Sequence, residues 1–334
     1  MSEKRPIVVR TDRSGISTPL FEEAEELAGV NAELIEGHCA TEDDIIRVAI
    51  DADVLLVASA QITRRVMEAL PKCKAIVRYG IGYDTVDVEA ATDNGILVVN
   101  IPDFCFEEVS NHAMTLLLAC AKKLVIMDKG TKQGRWADCK RVQAPMGSIW
   151  GETLGIIGCG NIGRMVGQKA RCFNMHVIGC DPFVDKAKAE ECGITLMSMP
   201  ELFKASDYIS IHTFLRQETW HLLGEKEFKQ MKPSAYLINT SRGSVIDEPA
   251  LIKALHEKWI AGAGLDVFEQ EPVDPDNPLL KMDNVVVFPH SASYSDAAFK
   301  RLRASVGQEA VRVLSGRWPK NLVNKMVKPK VDLL

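Results

Sequence analysis

The fold of this chain is decided by the stretch LGIIGCGNIG at residues 154–163. Its first four residues are apolar or small, which is typical of a buried parallel strand. Gly158, Gly160 and Gly163 follow in the pattern G-x-G-x-x-G, and apolar side chains then recur at helical spacing from Ile162 to Ala170. A strand, a glycine-rich turn and a helix in this order predict a β-α unit that binds a phosphate at the N-terminus of its helix.

Each glycine has its own reason in such a unit, and an acidic residue further along supports the interpretation. Gly158 permits the tight turn, Gly160 lets a pyrophosphate approach the backbone, and Gly163 lets the helix pack closely on the sheet. Asp181 ends the next predicted strand, near the spacing of about 20 residues expected for a carboxylate that binds the adenosine ribose. Because this carboxylate would repel a 2′-phosphate, the sequence predicts NAD rather than NADP as the cofactor.

Short apolar runs alternate with amphipathic stretches on both sides of this unit, as in an open α/β sheet. The predicted strands are residues 7–9, 54–57, 75–77, 97–99, 154–157, 176–179, 208–211, 235–238, 263–267 and 285–288. One long helix is predicted over residues 103–129 and another over 295–314.

Composition excludes several classes of protein. The chain has 334 residues, enough for two domains, and its net charge of −5 gives no bulk attraction for nucleic acid or an anionic membrane. Its longest apolar stretch, residues 113–121, is far shorter than the roughly 20 residues of a membrane span, and no signal peptide is visible. Nine cysteines without a CxxC pair indicate free thiols rather than a disulfide framework or a metal site. We therefore expect a cytoplasmic protein without a metal, and with neither nucleic acid nor membrane as a partner.

Three polar residues follow the last three predicted strands. These are Arg242, Glu271 and His290. Ligands of open α/β sheets bind at the carboxyl ends of the strands, so the three side chains are expected at one edge. Taken singly, each has an ordinary structural explanation: a surface ion pair, a turn before a proline and a structural histidine.

Together with its glycine-rich loop, these three residues make the chain resemble the D-isomer-specific 2-hydroxyacid dehydrogenase family, and the resemblance covers nearly its whole length. Four blocks carry the resemblance: IVRYGIGYD at 76–84, GCGNIG at 158–163, NTSRGSVIDE at 239–248, and LDVFEQEP at 265–272 leading to Pro289 and His290. The resemblance implies two doubly wound parallel-sheet α/β domains. A flavodoxin-like substrate domain consists of residues 1–101 and 295–334, and a Rossmann NAD-binding domain, residues 102–294, is inserted into it. A cleft between the domains and a homodimer formed through the helix near residues 111–127 are also implied.

The resemblance further implies a role for each matching residue. Arg242 binds the carboxylate of the substrate and polarises its carbonyl group, a task suited to a planar, permanently charged group. His290, held protonated by Glu271, gives its proton to the developing alkoxide as NADH delivers hydride to C2, and acts as the base in the reverse direction. Thr240 and Arg242 line the nicotinamide ribose, and Asp266 orients the carboxamide. The implied cofactor-binding residues are Gly158, Gly160, Asn161, Ile162, Gly163, Asp181, Thr240, Ser241, Arg242, Asp266 and His290. The implied substrate-binding residues are Tyr79, Gly80 and Ile81 through their backbone N–H groups, with Arg242, His290 and Ser293.

Departures from the family pattern bear on the substrate. Formate dehydrogenases carry Gln where this chain has Glu271, which argues against formate. Residues 57–61 lack the Arg with which phosphoglycerate dehydrogenases read a phosphate, so a small or apolar unphosphorylated 2-oxo acid is favoured over 3-phosphoglycerate. Ser293 stands where the corepressor branch of the family commonly has Trp, which leaves more room over the substrate.

The sequence favours a metabolic reductase that makes a D-2-hydroxy acid, and it leaves three alternatives. The chain could be an NAD(H)-sensing, corepressor-like binding protein, a D-3-phosphoglycerate dehydrogenase, or an enzyme that oxidises a non-carboxylate such as phosphite.

Overall fold

A computed structural model describes residues 5–12 and 21–334 of the chain. The chain divides into two compact units. The first unit is Met1–Phe104 with Ser295–Leu334, and the second unit is Cys105–Tyr294. Each has a sheet of parallel strands, which confirms the predicted fold class. The sequence predicts boundaries after residue 101 and before residue 295, and the roles that it gives the two parts stay a prediction.

The first unit has a five-stranded sheet in the order β2-β1-β3-β4-β5. Its strands are β1 (Ile7–Asp12), β2 (Glu33–Cys39), β3 (Val54–Val57), β4 (Ala75–Arg78) and β5 (Leu97–Val99). Its first helices are α1 (Phe21–Ala28), α2 (Glu42–Ala49), α3 (Arg64–Glu68) and α4 (Val88–Asp93). Strands β3 and β5 are buried throughout, as their continuous apolar sequences predict. The sequence missed β2, because this edge strand is largely polar and most of its residues are at least partly exposed.

The second unit has a seven-stranded parallel sheet in the order β12-β11-β10-β9-β6-β7-β8. Its strands are β6 (Thr153–Ile157), β7 (His176–Cys180), β8 (Thr195–Leu196), β9 (Tyr208–Ile211), β10 (Tyr236–Asn239), β11 (Gly262–Leu265) and β12 (Val285–Val287). Its helices are α5 (Phe106–Ala121), α6 (Leu124–Lys132), α7 (Trp136–Val142), α8 (Asn161–Cys172), α9 (Lys186–Glu191), α10 (Met199–Ala205), α11 (Glu225–Phe228) and α12 (Glu248–His256). The strand order reverses between β6 and β9, and such a reversal is where open α/β sheets bind their ligands.

The prediction of one long helix over residues 103–129 was wrong. Helix α5 ends at Ala121, α6 begins at Leu124, and the two are bent by 62°. Lys123 between them has a φ of 51°, in the left-handed region, which a right-handed helix cannot contain. Apolar residues continue on both sides of the break, so periodicity alone hides it. In the described ranges no single helix is long and apolar enough to cross a membrane, and this bent pair reaches that length only when both helices are counted.

Helix α13 (Asp296–Leu314) returns the chain to the first unit, close to the predicted range 295–314. The Ser295 hydroxyl caps it by accepting a hydrogen bond from the Ala298 N–H at 3.0 Å. Beyond this helix, Val323 N–H donates to Val98 O at 2.8 Å. The end of the chain thereby extends the sheet beside β5.

All nine cysteines are free thiols, and five of them are buried. Burial raises the pKa of Cys73, Cys120 and Cys159 to about 12, which keeps these thiols protonated. The predicted use of cysteine as a small packing residue is confirmed at the five buried positions.

Candidate active site

Of the three glycines in the loop after β6, only Gly160 has open space where a side chain would stand. Gly158 has a φ of 91°, and a Cβ atom there would lie 2.7 Å from the backbone of His212. A Cβ at Gly163 would lie 2.1 Å from Gly158 O. At Gly160 a Cβ would meet nothing within 4 Å, and no side chain caps the helix N-terminus that begins there. The first N–H groups of α8 therefore face an uncapped opening that suits a pyrophosphate.

Asp181 lies beside this loop, where its carboxylate is fixed by two backbone groups. Cys159 N–H donates to Asp181 Oδ2 at 2.8 Å, and Phe183 N–H donates to Oδ1 at 2.9 Å. Arg164, which the sequence did not single out, donates to Cys159 O at 2.9 Å and to Asn161 Oδ1 at 2.7 Å. It therefore orients Asn161 at the predicted pyrophosphate site.

The turn after β10 is held together by the fully buried Asn239. Its Oδ1 accepts hydrogen bonds from the Ser241 N–H at 3.0 Å and hydroxyl at 2.9 Å, and its Nδ2 donates to Arg242 O at 2.9 Å. Thr240 Oγ1 is buried and has no hydrogen-bond partner among the residues that the structure describes. A buried hydroxyl without a partner is costly, so a ligand group is expected to complete it. The uncapped helix and this hydroxyl both fit a bound dinucleotide.

His290 and Glu271 form a close pair at the ends of β12 and β11. Nδ1 of His290 lies 2.6 Å from Glu271 Oε2, and Phe268 N–H donates to Glu271 Oε1 at 3.0 Å. Burial raises the pKa of Glu271, but the hydrogen bond and charge of His290, together with the Phe268 N–H and the charge of Arg242, lower this pKa further. Glu271 is therefore an ionised acceptor for the imidazole. No described residue forms a hydrogen bond with His290 Nε2, which is thus available to a substrate.

The main chain at His290 adopts a left-handed conformation with a φ of 53°. Three backbone N–H groups hold it by donating to Asp266. His290 N–H bonds Asp266 O at 2.7 Å, while the N–H groups of Ser291 and Ala292 bond its two carboxylate oxygens at 2.9 Å each. His112 Nε2 also lies 3.3 Å from Asp266 Oδ1.

This arrangement gives Asp266 a task that the sequence missed. Burial raises the pKa of Asp266, but the nearby imidazole of His112 and the hydrogen bonds from the Ser291 and Ala292 N–H groups lower it further, so the carboxylate is ionised. Its predicted contact with the nicotinamide carboxamide would have to use an oxygen that already holds the His290 turn. No sequence signal reveals that Asp266 supports the His290 turn, because the donors are backbone groups. His112 is one of several polar residues on α5, and its position gives no sign of the contact.

In the first unit, two of the three predicted backbone donors already have a backbone partner, and the carboxylate site itself stays a prediction. Tyr79 N–H donates to Val57 O at 2.8 Å and Gly80 N–H donates to Arg78 O at 3.0 Å. Ile81 N–H makes no hydrogen bond within the described ranges. Only this third N–H group is free to bind a carboxylate. Ser293, in the second unit, is partly buried.

Comparison with known proteins agrees with this geometry. The family model for the D-isomer specific 2-hydroxyacid dehydrogenase, NAD binding domain, matches residues 114–292. The glyoxylate reductase of Korarchaeum cryptofilum is 41% identical over 285 residues, which cover 85% of this chain and 86% of that protein. This chain belongs to the D-isomer specific 2-hydroxyacid dehydrogenase family. It is therefore an oxidoreductase, and its cofactor is a nicotinamide dinucleotide, NAD or NADP.

Other proteins of the family are also similar to this dehydrogenase, in sequence or in structure. The D-3-phosphoglycerate dehydrogenase of Methanocaldococcus jannaschii is 40% identical over 311 residues, which cover 92% of this chain but 59% of that longer protein. The NADPH-dependent glyoxylate/hydroxypyruvate reductase of Sinorhizobium meliloti, solved with NADP and malonate, superposes with a TM-score of 0.86 at 28% identity, covering 99% of this chain and 100% of that one. The D-lactate dehydrogenase of Aquifex aeolicus, solved with NAD and lactic acid, superposes with a TM-score of 0.80 at 28% identity, covering 95% and 99%.

Proposed function

We propose that this dehydrogenase reduces a small or apolar, unphosphorylated 2-oxo acid to the D-2-hydroxy acid, with NADH as the cofactor. The observation that carries the proposal is the pair of His290 and Glu271, which lies beside the Arg242 turn and in which the other imidazole nitrogen makes no hydrogen bond to a described residue. Several similar proteins are named glyoxylate reductase, so glyoxylate is the first substrate to test.

The residues of the second unit divide the reaction between them. The guanidinium of Arg242 binds the substrate carboxylate and draws electron density from the carbonyl oxygen. A nicotinamide cofactor, when bound, would supply the hydride that is transferred to C2. His290 donates the proton on Nε2 to the resulting alkoxide, and ionised Glu271 stabilises the imidazolium before the transfer. In the oxidative direction His290 takes the same proton back.

The cofactor would be held by the residues around the glycine-rich loop. The N–H groups at Asn161 and Ile162 would bind the pyrophosphate, Asp181 the adenosine ribose, and Thr240 the nicotinamide ribose. A fixed carboxylate at residue 181 disfavours the 2′-phosphate of NADP, so we propose NAD as the preferred form.

Two other functions have an observation in their favour. The similarity to a D-3-phosphoglycerate dehydrogenase favours a phosphorylated substrate, although residues 57–61 carry no Arg to read the phosphate. The stretches PHSASYS at residues 289–295 and NLVNK at 321–325 resemble the corepressor branch of the family, which favours an NAD(H)-sensing protein that binds a partner instead of turning over a substrate. Both are decided by the same assay.

The assay follows NADH and NADPH oxidation with glyoxylate, pyruvate, hydroxypyruvate, phenylpyruvate, branched 2-oxo acids and phosphohydroxypyruvate. We expect turnover with at least one unphosphorylated acid, and faster turnover with NADH. His290→Gln should lower kcat at least about a hundredfold, since general acid–base catalysis contributes about that much, while NADH still binds. Turnover of phosphohydroxypyruvate alone would favour the phosphoglycerate enzyme. NADH binding without any turnover would favour the sensor.

A homodimer and a cytoplasmic location are also proposed, on the family resemblance and on composition. Helices α6 and α7 carry exposed apolar side chains, among them Leu124, Val125 and Trp136, which a second copy would cover. Sedimentation velocity measures the mass of the species in solution, and a monomer at assay concentration would contradict the proposed dimer.

A further inference from the structure

Another histidine–carboxylate pair lies in the second unit, apart from His290 with Glu271 and His112 with Asp266. Nε2 of His221 is 2.7 Å from Glu269 Oε1, and the two side chains are partly buried. A carboxylate oxygen only accepts hydrogen bonds, so this imidazole nitrogen is the donor. His221 also has a φ of 48°, in the left-handed region that side chains other than glycine rarely adopt. Such strained residues gather at functional sites.

The main chain of His221 is tied to the turn that carries Arg242. His221 N–H donates to Ser244 O at 2.9 Å, and two residues later Leu223 N–H donates to Val245 O at 3.2 Å. The segment after β9 thus lies along the residues that immediately follow Arg242, and fixes their position.

The side chain of His221 is tied to the loop that carries Glu271. Its partner Glu269 precedes Glu271 by two residues and exchanges hydrogen bonds with Glu248 at the start of α12. Glu248 N–H donates to Glu269 Oε2 at 3.2 Å, and Glu269 N–H donates to Glu248 Oε2 at 3.0 Å. The loop is therefore bound on one side by helix α12 and on the other by the imidazole.

These two loops also touch directly. A Cβ atom at Gly243 would lie 1.9 Å from the backbone carbonyl of Phe268, so there is no room for even a methyl group between them. A small movement of one loop must therefore move the other. His221 is bonded to both, through its N–H on one side and its imidazole on the other.

We propose that His221 and Glu269 are positioning residues, which hold the loop carrying Glu271 at a fixed distance from the turn carrying Arg242. The pair thereby sets where His290 stands relative to the arginine that binds the substrate carboxylate. Neither residue touches a reacting atom. The proposal rests on the proposed function, in which Arg242, Glu271 and His290 act together on one substrate.

The test compares His221→Leu, which removes the donor, with His221→Gln, which keeps a side-chain N–H at a similar reach. We expect His221→Leu to lower kcat about ten- to a hundredfold, the effect of misplacing catalytic groups by about 1 Å, and to raise the KM of the 2-oxo acid. The Kd of NADH should change less than about twofold, because the glycine-rich loop is untouched. His221→Gln should recover most of kcat. Glu225→Ala, which breaks a surface ion pair with Lys253 in the same unit, serves as the control with unchanged kinetics.

A second measurement does not depend on turnover. The proton in the short hydrogen bond between His290 and Glu271 should give a downfield proton NMR signal, assigned by its loss in Glu271→Gln. We expect this signal in wild type and His221→Gln, and its shift or loss in His221→Leu. If wild type reduces no 2-oxo acid but the signal behaves in this way, the proposed function fails and the positioning role stands.

Three results would overturn the positioning role. The first is a wild-type NMR signal in folded His221→Leu. The second is equal loss of kcat in the Leu and Gln variants. The third is a loss of activity that matches the fraction of protein unable to bind NADH, which would mean that the pair only stabilises the fold. If His221→Leu does not fold, Glu269→Gln takes its place, because its amide weakens the bond to His221 without removing the side chain.

Discussion

His290, the proposed catalytic histidine, adopts a left-handed backbone conformation that costs on the order of 1 kcal/mol for a residue with a Cβ atom. The three N–H donations to Asp266 offset this cost, and two of them go to a charged acceptor. The imidazole is therefore placed from two directions: by Glu271 through its ring and by Asp266 through its main chain. Both carboxylates have a lowered pKa, so both supports are intact near neutral pH.

Asp266→Asn tests this support at the level of one residue. The amide places an NH2 group where one of two backbone N–H donors needs an acceptor, so we expect unfolding free energy at about pH 7 to fall by about 2–3 kcal/mol. A carboxyl whose pKa is lowered in the folded state stabilises the protein above its ordinary pKa of about 3.9, and this stabilisation is lost as pH falls through the folded value. The deficit of the variant should therefore shrink below about pH 4.

Urea unfolding from about pH 7 to about pH 3.5 measures the deficit. Asp276→Asn is the control, because the Asp276 side chain is 93% exposed and forms an ion pair with Lys281 at the surface. We expect it to change stability by less than about 0.5 kcal/mol. A deficit for Asp266→Asn that stays constant or grows as the pH falls would contradict the assignment of the charged acceptor.

Sequence alone identified the side chains that stand at strand ends, because parallel strands bring their carboxyl ends to one edge. Arg242, Glu271 and His290 could be named in this way. It could not reveal that Asp266 holds the turn of His290, or that His221 spans two loops, because both depend on backbone groups far apart along the chain. Residue type and spacing do not predict such contacts.

Among the elements, those with a strong apolar pattern were predicted well and those without one were missed. Helix α13 and the buried strands match their predicted ranges closely. Strand β2 was missed because it is a polar edge strand, and the break between α5 and α6 was missed because apolar residues continue on both sides of Lys122 and Lys123. The positions of edge strands and left-handed junctions depend on the residues that they pack against. Those residues are distant in sequence, so a local hydrophobic pattern does not reveal them.

The glycine-rich loop between β6 and α8 allows a test in which two similar substitutions should act differently. Gly160→Ala places a methyl group in open space, so we expect unfolding free energy to change by at most about 1 kcal/mol. The same methyl group occupies the opening above the N-terminus of α8, so the Kd of NADH should rise about tenfold or more, equivalent to about 1.4 kcal/mol. Gly163→Ala forces a Cβ against Gly158 O and should destabilise the fold by about 1–3 kcal/mol.

Fluorescence titration with NADH and urea unfolding, run on both variants, separate the two effects. Gly224→Ala, in another loop of the same unit, is the control, because a Cβ atom there would meet only one side-chain atom, at 3.6 Å. Gly134 is less suitable, since its φ of 70° would strain an alanine. An unchanged NADH affinity in Gly160→Ala would show that the dinucleotide does not use this opening.

At the scale of the whole molecule, the first unit is built from both ends of the chain, and the last residues are bonded into its sheet. The fully apolar strand β5 would otherwise be an open edge. Val323 pairs with it through the main chain, and the carboxamide of the buried Asn324 supplies a further acceptor and donor. The resemblance to a known family predicted this return of the chain.

Asn324→Ala tests how far that return stabilises the first unit. Asn324 Oδ1 accepts from Val98 N–H at 2.9 Å, and Nδ2 donates to Ile96 O at 2.9 Å. The substitution leaves both backbone groups buried without a partner, so we expect the free energy of unfolding to fall by about 2–4 kcal/mol.

Hydrogen exchange followed by mass spectrometry should show faster exchange in peptides of β5 and of residues 318–330, with unchanged exchange around the glycine-rich loop. The Kd of NADH should stay the same, since the proposed cofactor residues lie in the second unit. Lys325→Ala, at the exposed neighbouring position, is the control and should leave exchange unaltered. Equal acceleration of exchange in both units would mean that they unfold as one, and that the chain end stabilises the whole molecule.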